Sequence, residues 1–304
     1  MRILLTSISQ YPARCGGIGS SRVHDVLAKG LGELGHTVHY HVRGGYAGPL
    51  PPGVVASGRD VGDADIYHFV DYPASGEPPP PGKPWVRTFH APFDTRGHEK
   101  AFVDGHFIFV SRAHAQSFGA TRYVWNGIDP EEYLYSETKD DYFLFVVSSL
   151  SRAESKGLLT AIAVAERLGA RLLVAGEIDL EPVPAAFLSP NVTYLGDIQE
   201  ERKAILFAQA RALLFPVRVC EPFGLVAAEA LMSGTPVLGS RRGALPELIT
   251  PEVGILCDTV EEYIDAAERL GTVRPADCRK RAMTEFHYRI MTRRYLAEYE
   301  RELG

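Results

Sequence analysis

Residues 1–42, MRILLTSISQYPARCGGIGSSRVHDVLAKGLGELGHTVHYHV, decide the fold class. The run from Arg2 to Ser7 is typical of a buried strand, and the glycine-rich turn Gly16-Gly17-Ile18-Gly19 follows it. Ser20 can cap a helix that runs to Leu34, and residues 37–42 form the next strand. This order of strand, turn, helix and strand predicts a parallel α/β layer.

The same alternation continues along the chain and predicts an α/β protein of two facing Rossmann-like domains with a cleft between them. A polar, turn-rich segment at 130–141 separates the two series, so we expect domains at 1–135 and 136–286 and a C-terminal helix at 287–304. Further strands are predicted at 66–70, 85–90, 107–110, 123–125, 142–147, 172–175, 192–195, 212–216 and 236–238, helices at 158–168, 200–208 and 225–233, and an extended proline connector at 78–81.

The last helix carries one apolar stripe, because large side chains recur at spacings of three or four residues. These side chains are Tyr288, Met291, Tyr295, Tyr299 and Leu303. The stripe has two interpretations: the helix packs on its own domain, or it crosses back and packs on the first.

Composition excludes several classes of protein. The 304 residues carry a net charge of −6, and the acidic excess is spread evenly, with 13 basic against 15 acidic residues up to position 140 and 19 against 23 beyond it. Nucleic acid is therefore not an expected partner. No apolar stretch reaches the roughly 18 residues of a membrane span, so no integral membrane association is expected. The four cysteines form no C-x-x-C pair, which favours a reducing, cytoplasmic setting without a zinc site.

The segment from Glu221 to Glu229, EPFGLVAAE, is the strongest functional signal. Phe223-Gly224 opens a helix directly after a strand, so the free amides of the first helical turn can bind a diphosphate. Gly224 allows a close approach of the backbone. The two glutamates are suited to accept hydrogen bonds from sugar hydroxyls. For an isolated pair of glutamates, however, the simpler interpretation is a solvated helix surface.

The surrounding motifs resemble the retaining nucleotide-sugar glycosyltransferases of family 4, which have the GT-B fold. The resemblance covers nearly the whole chain. Besides the E-x7-E block, it includes Gly16 to Gly19, Phe89-His90-Ala91, Val110-Ser111-Arg112, Asn126-Gly127-Ile128-Asp129, Lys156-Gly157, Ala175-Gly176-Glu177 and Leu195-Gly196.

The resemblance implies roles for residues of the second domain. Glu221 would contact the donor-sugar hydroxyls and Glu229 would hold the ribose, while Lys156 would neutralise the diphosphate. The remaining donor contacts would come from the backbone of Phe223, Gly224 and Leu225, and Gly196 is included among the donor-binding residues.

The diphosphate arginine of the family has no direct counterpart, since Ser149 stands where arginine is expected. Arg152 can reach the same anion on its long, flexible side chain. Alternatively, Arg152 is a surface residue, and Lys156 acts with the backbone amides alone.

Two features of the first domain match the family pattern. His90 ends a strand, where ligands bind in open α/β sheets. The resemblance places it beside the reacting sugar, and the alternative is an ordinary core or surface histidine. The loop containing Gly16, Gly17 and Gly19 would approach the donor phosphate and the acceptor, or form an ordinary tight turn.

Three other motifs are weak. Arg22 stands where a dinucleotide fingerprint needs its third glycine, so NAD chemistry is a minor alternative. Asp63 and Asp65 have the spacing of a metal-binding D-x-D, but they immediately precede a predicted strand and more simply begin it. His39 and His41 have no matching carboxylates. We therefore predict neither a metal nor a cofactor.

The resulting hypothesis is a retaining, metal-independent glycosyltransferase. It moves a sugar from a nucleotide diphosphate sugar, with a UDP-hexose as the default, to a hydroxyl of a small-molecule or glycan acceptor. The catalytic set is His90, Glu221, Arg152 and Lys156. The alternatives are a nucleotide-sugar-binding module without transfer, and a phosphorylase or epimerase of the same fold.

Overall fold

The computed structural model describes residues 1–13, 19–58, 63–70, 81–91, 105–198 and 200–304. The chain forms two compact units. The first comprises Met1–Ile128 together with Phe286–Gly304, and the second comprises Asp129–Glu285. Among the described residues, no helix is both long enough and apolar enough to cross a bilayer.

The described part of the first unit contains a parallel sheet of six strands in the order β3-β2-β1-β4-β5-β6. The strands are β1 (Arg2–Ser7), β2 (Thr37–Val42), β3 (Val54–Ala56), β4 (Ile66–Val70), β5 (Trp85–Phe89) and β6 (Phe107–Phe109). Two helices of this segment are α1 (Gly19–Glu33) and α2 (Arg112–Ser117). Every residue of β4 is buried, as expected for a central strand that is covered on both faces.

The second unit has the same architecture, with six described parallel strands in the order β12-β11-β10-β7-β8-β9. These are β7 (Tyr142–Ser149), β8 (Arg171–Glu177), β9 (Val192–Gly196), β10 (Ala212–Phe215), β11 (Val237–Ser240) and β12 (Gly254–Cys257). Its helices are α3 (Leu158–Leu168), α4 (Glu200–Gln209), α5 (Leu225–Met232), α6 (Leu245–Leu248), α7 (Val260–Glu268) and α8 (Pro275–Glu285). The α/β fold class predicted from the sequence is therefore confirmed.

The C-terminal helix α9 (Tyr288–Leu303) belongs to the first unit. Of the two interpretations of its apolar stripe, the return to the first domain is therefore confirmed. Tyr288, Met291, Tyr295 and Tyr299 are all at most 3% exposed, whereas Leu303 at the end is 44% exposed. A side chain at Gly30 of α1 would place its Cβ 2.1 Å from Thr292 Oγ1, so glycine permits the close approach of α1 and α9.

The second unit begins at Asp129, upstream of the expected position 136. The Asp129 side chain caps a short 3-10 helix, Pro130–Glu132, by accepting from the Glu131 amide. The Tyr133 hydroxyl then donates to Glu229 of the same unit. At the other end, Phe286 groups with the first unit rather than the second.

One predicted strand is wrong. Of residues 123–125, only Tyr123 pairs with the sheet, through a single bridge to Phe109, and the chain then leaves the sheet. The aromatic residues there have high β propensity, but Trp125 packs instead against Phe286 and Arg294 beside α9. The proline connector predicted at 78–81 lies almost wholly outside the described residues.

Candidate functional site in the second unit

The strand order of the second unit changes direction between β7 and β10. From β7 the chain adds β8 and β9 on one side, then returns to add β10, β11 and β12 on the other. In open parallel sheets, ligands bind beyond the carboxyl ends of the strands at such a switch point. The loops that follow β7 and β10 therefore define the candidate site.

These two loops pack tightly against each other. Gly157 ends the β7 loop at φ +87°, and a Cβ there would lie 1.9 Å from the carbonyl oxygen of Pro216 in the β10 loop. The Arg218 amide donates to Ser155 O at 2.9 Å. Glycine is required at position 157 both for its backbone conformation and for the absence of a side chain. The packing fixes the path of the β7 loop, which carries Lys156.

Lys156 and Glu221, both predicted from sequence, are brought together. Lys156 Nζ lies 2.5 Å from Glu221 Oε2, and the Glu221 residue is 9% exposed. The loop after β11 supports Glu221, because the Ala244 amide donates to its carbonyl and a Cβ at Gly243 would clash with its backbone nitrogen. The pair therefore combines an ammonium and a carboxylate at the switch point.

The amino end of α5 lies in the same loop. Gly224 precedes α5 at φ +98°, where a Cβ would come within 3.0 Å of Leu245. The Phe223 ring is buried, so its backbone, rather than its ring, is the part suited to contact a ligand. At Leu225 the first-turn amides of the helix begin, and these amides are oriented to bind an anion.

Glu229 lies in the buried half of α5 and is 2% exposed. Its Oε1 accepts from Tyr133 at 2.9 Å and from Lys203 of α4 at 2.8 Å. Neither partner was predicted, because Tyr133 is 96 positions from Glu229 and Lys203 is 26 positions away. No local spacing in the sequence indicates such a contact.

Arg152 ends a short 3-10 helix, Leu150–Arg152, and its side chain is exposed. Beside it, the Ser151 amide and hydroxyl donate to Asp179 at 2.9 and 2.6 Å, and Ser149 Oγ lies 3.0 Å from Ser151 Oγ. These hydrogen bonds from Ser151 lower the pKa of Asp179. The position that carries arginine in the family thus belongs to a serine and aspartate network, which sequence reasoning missed.

The predicted glycines other than Gly224 are Gly16, Gly17, Gly19 and Gly196, and none of them belongs to the β7 or β10 loop in the sequence. Gly196 is the last residue of β9, the edge strand, at φ +69° with open space around a would-be Cβ. Gly19 is the first residue of α1 in the first unit. Gly16 and Gly17 lie outside the described residues.

His90, in the first unit, directly follows β5 and has two histidines nearby. The His24 ring centroid is 5.6 Å away, and His114 Nε2 donates to the carbonyl of the adjacent Ala91 at 2.9 Å. Burial, with a smaller contribution from His114, lowers the pKa of His90 to about 3. The imidazole is therefore neutral at physiological pH and suited to hydrogen bonding rather than to charge neutralisation.

The D-x-D motif of the first unit has a structural role, as its position before a strand indicates. The Arg2 amide donates to Asp65 at 2.7 Å, and the Arg2 guanidinium pairs with both Asp63 and Asp65. These contacts join the amino ends of β1 and β4, the opposite end from His90. Among the described residues, no three His, Cys, Asp or Glu side chains are grouped so as to hold a metal.

Two Rossmann-like units, each with a six-stranded parallel sheet among its described residues, define the GT-B fold of glycosyltransferases. Residues 134–282 match the family model of glycosyl transferases group 1. This match, which lies within the second unit, supports a GT4-like glycosyltransferase. It is similar over its full length to AviGT4, a glycosyltransferase involved in avilamycin A biosynthesis, with 26% identity and a TM-score of 0.81, covering 98% of that chain.

Curated relatives match part of the chain. An uncharacterized glycosyltransferase of Methanocaldococcus jannaschii is 30% identical over 151 residues, which cover 43% of this chain and 38% of that protein. A GDP-mannose-dependent alpha-(1-6)-phosphatidylinositol dimannoside mannosyltransferase of Mycobacterium tuberculosis is 37% identical over 114 residues, covering 37% of this chain and 30% of that protein. The matches therefore span less than half the length of these relatives.

Proposed function

We propose that the protein transfers a sugar from a nucleotide diphosphate sugar to an acceptor hydroxyl, with retention at the anomeric carbon. The observation that carries this proposal is the Lys156–Glu221 pair at the switch point of the second unit, directly before the amino end of α5. A diphosphate needs cations and free amides, and a sugar needs hydrogen-bond acceptors. The packed β7 and β10 loops together supply the cation, the free amides and the hydrogen-bond acceptor.

The second unit acts as the donor-binding unit in this proposal. Lys156 and the amides at Gly224 and Leu225 bind the diphosphate and stabilise the charge that develops on it as the glycosidic bond breaks. Glu221 accepts hydrogen bonds from sugar hydroxyls, and Glu229 accepts them from the ribose. Arg152, exposed on the same loop as Lys156, adds a second cation to the diphosphate.

Retention arises by front-face attack, in which the departing phosphate takes the proton of the acceptor hydroxyl. Double displacement would need a carboxylate beneath the sugar ring, as in retaining glycosidases. Glu221 is instead paired with Lys156, which suits a positioning group rather than a nucleophile. Neutral His90 is proposed to hydrogen-bond on the acceptor side. Analysis of the product anomer tests the mechanism, since an inverted product contradicts it.

Metal independence follows from the same assignment, because Lys156, Arg152 and the helix amides neutralise the negative charge of the diphosphate without a metal ion. We expect transfer to be unchanged after treatment with EDTA. Restoration of an EDTA-inhibited reaction by Mg²⁺ or Mn²⁺ would contradict this part of the proposal.

The donor is proposed to be a UDP-hexose or GDP-mannose. The first was the default from sequence, and the second is supported by the mannosyltransferase relative. A thermal-shift screen with UDP, GDP, ADP and dTDP distinguishes them, because a ligand at 100 times its dissociation constant adds about 2.7 kcal/mol of stability. If none of the four nucleotides shifts the melting temperature, the donor site is assigned wrongly.

A binding module without transfer is the second candidate, and the Ser149, Ser151 and Asp179 network favours it. That network places a carboxylate beside the loop where the family has a cation. Incubation of the donor with a broad acceptor panel separates the two functions. Donor binding without transfer or slow hydrolysis supports the module, and turnover that requires inorganic phosphate supports a phosphorylase.

A further inference from the structure

Two donors converge on a single oxygen of Glu229. Lys203 Nζ lies 2.8 Å from Glu229 Oε1, and the Tyr133 hydroxyl lies 2.9 Å from the same atom. The three residues come from α4, α5 and the segment after the 3-10 helix Pro130–Glu132. Because both donors meet at Oε1, they fix the rotation of the carboxylate about its last side-chain bond as well as its position.

The contacts of Glu229 with Lys203 and Tyr133 are buried, so the loss of either contact is costly in free energy. Glu229 is 2% exposed, Lys203 is 8% exposed and Tyr133 is 6% exposed. A buried carboxylate is costly unless a cation or several hydrogen bonds compensate it. The Lys203 ammonium also lies 5.7 Å from the centre of the Phe207 ring, one turn further along α4. Lys203 is therefore held in place by Phe207 on its own helix, α4, and its positive charge compensates the buried carboxylate of Glu229 on α5.

We propose that Lys203 and Tyr133 are positioning residues that hold Glu229 for the ribose of the nucleotide. The inference rests on the proposed function, in which Glu229 accepts hydrogen bonds from ribose hydroxyls. It adds that the selectivity for ribonucleotides over deoxyribonucleotides depends on two residues that do not themselves touch the ligand. A site built to hydrogen-bond a substrate hydroxyl binds the analogue without that hydroxyl less well, provided that the hydrogen-bonding side chain is held in position.

The test measures dissociation constants of UDP and GDP and of their 2′-deoxy counterparts, for the wild-type chain and for Lys203→Met. We expect the wild type to prefer the better-bound ribonucleotide over its deoxy form by about tenfold or more. Lys203→Met removes the cation but keeps a chain of similar length. We expect its ribo-to-deoxy ratio to fall to about two, with the loss of affinity confined mainly to the ribonucleotide.

Lys139→Met is the matched control. Lys139 Nζ donates to Ala208 O in α4, and to Ser233 O and Thr235 Oγ1 just beyond α5. It therefore supports the same two helices at their far ends without contacting Glu229. Loss of Lys139 is expected to lower the melting temperature and to leave the ribo-to-deoxy ratio at the wild-type value. A purely structural role for Lys203 would give the same result as this control.

Tyr133→Phe is a second variant, because it removes one hydroxyl and retains the ring even if Lys203→Met folds poorly. We expect it to reduce the ribo-to-deoxy ratio by about threefold, less than Lys203→Met. If the wild type discriminates and both variants keep the wild-type ratio, the inference is wrong while the proposed function stands. If the wild type binds no nucleotide, or binds both forms equally, the proposed role of Glu229 fails and the inference fails with it.

Discussion

The two units share one sheet topology, but a neutral hydrogen-bond network in the first contrasts with ion pairs at the candidate site of the second. In the first unit, His68 of β4 bonds Tyr299 and Thr88 at 2.7 Å each, and Thr88 lies 2.8 Å from Tyr295. Burial, with His24 and His90 nearby, places the pKa of His68 well below its ordinary value, so this network is neutral. At the candidate site of the second unit, the two buried carboxylates are instead in ion pairs, Lys156–Glu221 and Lys203–Glu229.

The difference agrees with the structural role of the first network and the proposed ligand-binding role of the second. The neutral network joins α9 to β4 and β5 within the first unit, and its hydrogen bonds hold each side chain in place. Neutral hydrogen bonds avoid the desolvation cost of charges and need no solvent. An ion pair near a ligand site offers both signs of charge, so a phosphate can engage the lysine while sugar hydroxyls engage the glutamate. The following variants and conditions test this contrast between the neutral His68 network and the ion pairs of the candidate site.

Acid is expected to have the largest effect, and to act on the first unit. Burial lowers the pKa of His90 to about 3 and that of His114 to about 4, whereas unfolded histidines titrate near 6.5. As the pH falls below 6.5, the histidines bind protons in the unfolded chain but not in the native unit. The free energy of unfolding of the first unit therefore decreases. Each such histidine contributes up to about 1.4 kcal/mol per pH unit across that window.

Tryptophan fluorescence measures this effect selectively, because Trp85 and Trp125 both lie in the first unit. Urea unfolding at pH 7, 6 and 5 should give a progressively lower fluorescence midpoint. His114→Phe, which keeps an aromatic ring beside Phe89, should make the pH dependence shallower. An unchanged fluorescence midpoint between pH 7 and pH 5 would show that these histidines are not buried in neutral form.

Gly157→Ala is expected to be the most damaging substitution in the second unit. The new Cβ would meet the Pro216 carbonyl at 1.9 Å, and the backbone there has φ +87°. Backbone atoms cannot rotate away as a side chain can, so we expect a loss of about 4 kcal/mol of stability. Circular dichroism follows the unfolding, with Gly169→Ala as the control.

Gly169 has a similar backbone conformation, φ +61°, but no atom lies within 4 Å of its would-be Cβ. Its substitution should cost about 1 kcal/mol, the strain of the left-handed conformation alone. Equal losses for the two variants would mean that the β7 and β10 loops are not packed together as described.

These loops also show how far the sequence could predict the site. Lys156 could be identified through the family resemblance, because the Lys156-Gly157 motif carries it, and Gly157 is required by the close approach of the Pro216 carbonyl. Lys203 could not, because its role depends on how α4 packs against α5, and nothing in the spacing along the chain specifies that contact. Pattern reasoning therefore finds the residues imposed by backbone geometry and misses those imposed by packing between elements.

The fold shows the same limit. The bounds of strands β1, β2 and β4 were predicted to the residue, because their apolar or alternating patterns are bounded by polar or turn residues. Strands β3 and β12 were missed. Each is a short edge strand that is only partly buried, whereas β6, the equally short edge strand that was predicted, is fully buried and continuously apolar.

Glu221→Gln tests the ionic half of the comparison through activity. The change keeps the shape of the side chain but removes the charge that pairs with Lys156 and that we propose accepts hydrogen bonds from sugar hydroxyls. We expect the transfer rate to fall about 100-fold, which corresponds to about 2.7 kcal/mol in the activation free energy. Glu261→Gln is the control, because its pair with Arg167 is exposed and remote in sequence from both loops. Its rate should match that of the wild type, and equal losses would remove Glu221 from the catalytic set.

The smallest effect comes from removing one hydroxyl in each unit. Tyr133→Phe deletes a donor to the Glu229 carboxylate, whereas Tyr299→Phe deletes a partner of the neutral His68 ring. Both phenols are at most 6% exposed, so the two variants bury similar surfaces. A hydrogen bond to a charged group contributes about 2 kcal/mol, and a neutral one about 1 kcal/mol. We therefore expect Tyr133→Phe to lower the unfolding free energy more than Tyr299→Phe, as measured by urea unfolding at pH 7. The reverse order would mean that His68 carries a charge.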